Sequence, residues 1–204
     1  MSAARELAAT CLARDNLQDA EKYAREAHSH AMSNPFLLDI LISVLIKKYG
    51  KVASHKYEID SLFDALEKVG EEAGRSFFTT RKAEYEHLCG DNRIALDLIE
   101  RAIVKTPKIF DAQRLRAEIL LKDNQVGKAA DAISRMREIV DSRDPTERRS
   151  NYRSFLVTEA RYLTEVGKYS EAKAIYENPS VFSTEERAGG IRDIEIVQAF
   201  KSAK

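Results

Sequence analysis

The 204-residue chain has no tryptophan, four prolines, eight glycines and two cysteines. So few prolines and glycines leave little material for the many tight turns of a β-sandwich or barrel, and they favour helix. Cys11 and Cys89 are too few for a disulfide framework or a metal-ligand set. An excess of charge of one sign is also missing: 33 basic residues face 33 acidic ones, for a formal net charge of zero. A general nucleic-acid binder carries a basic excess, so this balance counts against that class. No apolar run reaches the roughly 18–20 residues that a membrane span needs. The longest, around Leu37 to Ile46, is interrupted by Asp39 and Ser43. The start, Met1 to Arg14, is amphipathic rather than an apolar stretch between basic and small-residue flanks, so no secretory leader is read there. The expectation is a cytoplasmic, reducing setting with no membrane partner.

What the chain does have is helical spacing. Apolar residues make up 44% and charged residues 32%, and the charges suit long solvated helix faces. Between Ala83 and Asp141 one pattern occurs twice, offset by 34 residues: Ala83 matches Ala117, Gly90 matches Asn124, Ala95 matches Ala129, Ile99 matches Ile133 and Ala102 matches Met136. Each copy reads as a helix, a short polar turn and a second helix. Small residues fall where two helices must approach closely, and larger apolar residues lie three or four positions away on the same face. A fixed period of this length is the signature of stacked helical hairpins. One hairpin cannot bury its apolar face alone, so neighbours must stack.

The spacing resembles the tetratricopeptide repeat (TPR) family, most strongly over residues 76–141. That family prefers a small residue at position 8, Gly or similar at 15, Ala at 20, a large apolar residue at 24, Ala at 27 and Pro at 32. The copy beginning at Ser76 supplies Ala83, Gly90, Ala95, Ile99, Ala102 and Pro107. In the next copy Ala117, Asn124, Ala129 and Ile133 fit, while Met136 and Asp141 depart. The resemblance implies an all-α, right-handed α-solenoid of about five helical hairpins plus a C-terminal capping helix, in a single domain over 1–204.

In chain order, Ser2 to Arg14 and Leu17 to Met32 form the first expected hairpin, with Ala8, Ala20, Ala24 and Ala27 at contact positions. Phe36 to Tyr49 is apolar nearly all round and should be buried from both sides. Ser54 to Glu72 follows, and Gly74 breaks the helix before the regular pair near Ser76. Lys108 to Lys122 and Val126 to Val140 make the fourth hairpin. Ser142 to Ser150, with Pro145, reads as a turn with a helix start. The fifth hairpin runs from about Glu147 to Asn178, where Ala160, Gly167 and Ala172 keep the pattern and Pro179 truncates it. Ser183 with Glu186 is a capping box, and Ile191 to Ala203 reads as a one-faced closing helix. The first helix begins without a polar cap, which terminal repeats normally carry. The expectation is therefore a fragment, or the C-terminal part, of a longer protein.

No catalytic motif is present, and no enzyme activity, metal or cofactor is expected. The Gly-Lys pairs at Gly50, Gly127 and Gly167 lack the lead and the following Ser or Thr of a phosphate loop. His28 and His30 are two apart, which points them to different helix faces. The resemblance implies instead a protein or peptide partner held by the first helices, through positions 2, 5, 9, 12 and 13. These are Phe77, Thr80, Glu84, His87 and Leu88; Asp111, Arg114, Glu118, Leu121 and Lys122; and Ser154, Val157, Arg161, Thr164 and Glu165. Glu84, His87, Arg114, Glu118, Arg161 and Glu165 are the candidate contacts. The Lys and Asn with which one family subset grips chaperone tails are absent. Two alternatives stand beside this reading. One is a regulatory or sensor arm of a larger bacterial signalling NTPase. The other is nucleic-acid or phosphate binding through Arg143, Arg148, Arg149, Arg153 and Arg161, diluted by Asp144, Glu147 and Glu159.

Overall fold

The computed structural model of the chain describes residues 3–50, 52–72 and 76–203, with the side chains at 53, 70–72 and 145–150 outside the description. The helix start expected at Ser2 and the break expected at Gly74 therefore lie outside the described residues. Among the described residues there are eleven helices and no strand. They are α1 (Ala3–Ala13), α2 (Leu17–His30), α3 (Pro35–Tyr49), α4 (Ala53–Glu72), α5 (Ser76–Cys89), α6 (Asn92–Lys105), α7 (Phe110–Lys122), α8 (Val126–Asp141), α9 (Pro145–Glu165), α10 (Tyr169–Tyr176) and α11 (Thr184–Ser202). They form five hairpins followed by α11. The chain divides into two compact units, Met1–Pro107 and Lys108–Lys204.

The turns inside four hairpins are built alike. Asp15, Gly90, Asn124 and Gly167 all stand in the left-handed region, at φ of 61°, 95°, 57° and 83°. In each case the next residue's N–H reaches back five positions. Asn16 donates to Cys11 at 2.9 Å, Asp91 to Glu86 at 2.9 Å, Gln125 to Leu120 at 2.8 Å and Lys168 to Leu163 at 2.8 Å. This is the Schellman ending, which satisfies carbonyls that the helix leaves without a partner. Glycine takes such angles freely, and Asn and Asp tolerate them better than other residues. The expectation that Asn124 replaces Gly at this position is thus met by its backbone angle. The same residues that end the first helix begin the second. Asn16 and Asp91 are N-caps whose side chains accept from Asp19 and Ile94.

In unit 1–107, α3 packs between α2 and α4 and also meets α1. Its Leu37, Leu38, Leu41, Ile42, Val44 and Leu45 are buried, as an all-round apolar helix requires. Around it lie Ala8, Ala20, Ala24, Ile59, Phe63, Leu66, Phe78 and Tyr85. In unit 108–204, Phe110, Ala117, Ala132, Ile133, Met136, Ile139, Val140, Phe155, Leu156 and Phe182 form the core. Burying each large side chain contributes about 1.5–3 kcal/mol, so these clusters outweigh any surface ion pair. The repeat register holds. Ala8, Ala83, Ala117 and Ala160 at position 8 are buried, as are Ala20, Ala95, Ala129 and Ala172 at position 20.

Two boundaries differ from the sequence expectation. The turn after α8 is shorter, because Pro145 opens α9 at a first-turn site where its missing N–H costs nothing. The closing helix begins at Thr184 rather than near Ile191. Ser183 and Glu186 form the reciprocal capping box, which starts α11 early enough to carry Gly189 and Gly190 inside it.

Candidate functional site

The candidate contacts fall on first helices in both units. In unit 1–107, α5 carries Glu84 and His87. Glu84 is held by Arg81 at 3.1 Å, and Arg81 also reaches Asp39 on α3 at 3.3 Å. The His87 ring bonds the Asn92 side chain through Nδ1 at 2.8 Å, across the turn into α6. His87 therefore braces its own hairpin. Of the other first-helix positions on α5, Phe77 and Leu88 are exposed, but Thr80 is buried and turns its hydroxyl back to the Ser76 carbonyl.

In unit 108–204, α7 and α9 pack against each other and carry the remaining four candidates. Arg114 lies half-buried, 3.0 Å from Glu118 and 3.6 Å from Asp111. Glu165 accepts from Lys201 of α11 at 2.9 Å, and the same ammonium donates to the Glu165 carbonyl at 3.0 Å. Arg161 is exposed and, among the described residues, makes no hydrogen bond or ion pair. It is alone in this among the described charged side chains of α9: Arg153 pairs with Glu186, Glu159 with Arg137 and Glu165 with Lys201. Leu121 and Thr164 were expected in a groove and are buried instead. Thr164 donates to the Ala160 carbonyl at 2.8 Å. Position numbers alone do not resolve which flank of a first helix is covered.

The arginine-rich junction is only partly in view, since the side chains of Arg148 and Arg149 lie outside the described residues. Arg153 is engaged twice, with Glu186 in the α11 capping box and over the Phe182 ring, 5.7 Å from its centroid. Burial raises the pKa of Glu159 against the lowering effect of Arg137. Among the described residues no group of three or more His, Cys, Asp or Glu could hold a metal ion. Among the described residues, no helix is long and apolar enough to cross a membrane.

One feature of the site was not read from the sequence. A recess of about 220 Å³ opens between α9, α10 and α11, lined by Val157, Arg161, Tyr176, Asp193, Ile194 and Val197 among others. Gly190 forms part of its wall. A Cβ there would lie 2.4 Å from the Tyr176 ring, so only glycine lets α11 approach α10 this closely. Burial pushes the Tyr176 hydroxyl pKa up. The signal was available: two consecutive glycines inside a helix cost about 1 kcal/mol each and call for a packing reason.

No family model matches the chain, and no curated protein matches it. Solved structures do. A tetratricopeptide repeat protein from Parabacteroides merdae ATCC 43184 superposes with a TM-score of 0.64 at 13% identity, over 96% of this chain and 72% of that one. The structure described as the MamA RS-1 ArsTM double mutant superposes with a TM-score of 0.50 at 15% identity, over the whole of this chain and 99% of that one. At such low identity the likeness speaks for architecture alone. With eleven helices in five hairpins and a closing helix among the described residues, buried alanines in register and repeated left-handed turns, this chain carries a TPR-like all-α helical-repeat fold.

Proposed function

We propose that the chain is a non-catalytic interaction module that binds a protein or peptide segment along the first helices of its hairpins. One observation carries this reading. On α9 the neighbouring described charges are paired, and Arg161 alone stands exposed without a partner. A guanidinium presents a rigid fork of donors that matches a carboxylate, and arginine is enriched among residues that dominate binding energy. Arg114 on the adjacent α7 supports the contact. Glu118 holds it in place, so that less side-chain entropy is lost when it meets a partner. Glu84, Glu118 and Glu165 set charge complementarity and orientation rather than most of the affinity, and His87 acts by bracing α5 against α6.

A displayed peptide library screened against the purified chain supplies ligands for the test. Arg114→Ala and Arg161→Ala are each expected to weaken the selected peptides by about 1 kcal/mol or more. Arg161→Ala should leave the melting temperature nearly unchanged, because that exposed side chain makes no ion pair among the described residues, and Arg114→Ala should lower it only slightly, because its partners lie within one turn of its own helix. Unaltered affinity in the double variant, with loss on replacing Arg148 and Arg149, would move the site to the arginine-rich junction. The purified chain is expected to turn over no ATP. Turnover that follows the protein through purification and disappears in a point variant overturns the non-catalytic assignment.

A further inference from the structure

We propose that the recess between α9, α10 and α11 binds a small zwitterion, namely a free α-amino acid with an apolar side chain. This goes beyond the peptide reading and does not depend on it. The recess has two kinds of wall. Its apolar surface comes from Val157, Ala160, Ile194 and Val197. Its polar and charged lining residues include Arg161, Asp193 and Tyr176. Among the described residues none of these three side chains makes a hydrogen bond or an ion pair, although all line one cavity. Arg161 and Asp193 line the same recess without pairing across it, and both are exposed, so both charges are open to a ligand.

The charge pattern selects the ligand class. Arg161 and the nearby Lys201 bring two positive charges, and Asp193 and Glu165 bring two negative ones. Lys201 and Glu165 satisfy each other. A plain carboxylate would meet Arg161 but would be opposed by Asp193. A plain amine would meet Asp193 but would be opposed by Arg161. A molecule carrying both groups meets both, and like-charge opposition rejects the others. Size points the same way. About 220 Å³ is below the roughly 300–1,000 Å³ of sites for drug-sized ligands. A single amino acid suits it, with its apolar side chain against Val157, Ile194 and Val197 and its carboxylate in the Arg161 fork. The Tyr176 hydroxyl can donate to that carboxylate or accept from the ammonium. Thr164 is not available, since its hydroxyl is committed to Ala160. Gly190 keeps the Tyr176 ring in the wall. Because Arg161 also belongs to the proposed peptide groove, an occupied recess would withdraw that arginine from a partner.

The test is calorimetric titration of the purified chain with L-leucine and L-phenylalanine, beside N-acetyl-L-leucine, L-leucinamide and glycine. At least one of the two free apolar amino acids is expected to bind saturably. The acetylated, amidated and glycine controls should each bind about tenfold more weakly or not at all. Arg161→Gln and Asp193→Asn, both checked for native helicity, should each lose about tenfold in affinity. No saturable binding of either amino acid up to about 10 mM, in the range of the weakest specific affinities, overturns the proposal. So does N-acetyl-L-leucine binding as tightly as leucine, or full affinity in both variants. No peptide is present in the titration, so failure here leaves the peptide reading standing, and failure of the peptide screen leaves this one standing.

Discussion

Among the described glycines, Gly190 is the one where packing leaves least room. A methyl group placed there meets Tyr176 at 2.4–2.6 Å, and Tyr176 cannot retreat freely because its ring packs on Phe182 with centroids 5.0 Å apart. Gly190→Ala is expected to destabilise unit 108–204 by about 1–3 kcal/mol through overpacking, despite alanine's better helix propensity. Urea denaturation measures the loss. Tyr176→Leu in the same chain should recover part of it, because a smaller, more adaptable side chain replaces the ring. A neutral or stabilising Gly190→Ala would mean that α11 sits further from α10. The small residues at positions 8 and 20 obey the same rule, and there the sequence was sufficient: alanine at a fixed period has few explanations other than close helix crossing. Gly190 lies outside that period: the glycine pair called for a packing reason, but the partner it packs on became visible only once α11 was seen against α10.

Among the elements, α2, α3 and α4 are tied by charge as well as by apolar contact. Glu21 accepts from Lys48 at 2.7 Å, from Tyr49 at 2.8 Å and from Arg25 at 2.8 Å, and Arg25 continues to Glu58 on α4 at 2.6 Å. Burial alone would raise the pKa of Glu21, but the bonds from Lys48, Arg25 and Tyr49 outweigh it and hold the pKa at about 2. A carboxylate depressed on folding adds stability that is complete above its ordinary value of 4.5 and is lost as pH falls through its folded value. The Glu21 contribution should therefore fade between about pH 4.5 and pH 2. Glu21→Gln is expected to cost about 1–2 kcal/mol at neutral pH and to flatten the acid side of the stability profile. Melting curves at stepped pH read both effects, and an unchanged acid limb in the variant would remove Glu21 as its cause. Nothing in the sequence announced this network. Lys48 lies 27 residues from Glu21 and Glu58 lies 33 from Arg25, all are ordinary in kind, and only the stacking of three helices brings them together. The capping box at Ser183 was legible by contrast, because both of its bonds are made within four residues.

At the scale of the whole molecule, each compact unit has its own core, and we propose that the chain nevertheless unfolds as one domain over 1–204. Ala129→Leu, at a fully buried position, is expected to cost about 1–3 kcal/mol. Hydrogen exchange should then show lowered protection in both 1–107 and 108–204 if they are coupled. Loss confined to 108–204, with two separate melting transitions, would assign two independently folding units. The hairpin number and the all-α class could be read in advance because the 34-residue period repeats a physical requirement. Exposure along the first helices could not, as buried Thr80, Leu121 and Thr164 make plain. The four left-handed turns carry one more consequence. Each is closed by main-chain atoms, so aspartate, glycine, asparagine and glycine serve in turn without altering the bend. Selection acting on such a joint sees an angle rather than a letter. Lineages are then free to exchange its residues until common ancestry fades from their spelling, while the architecture they spell endures.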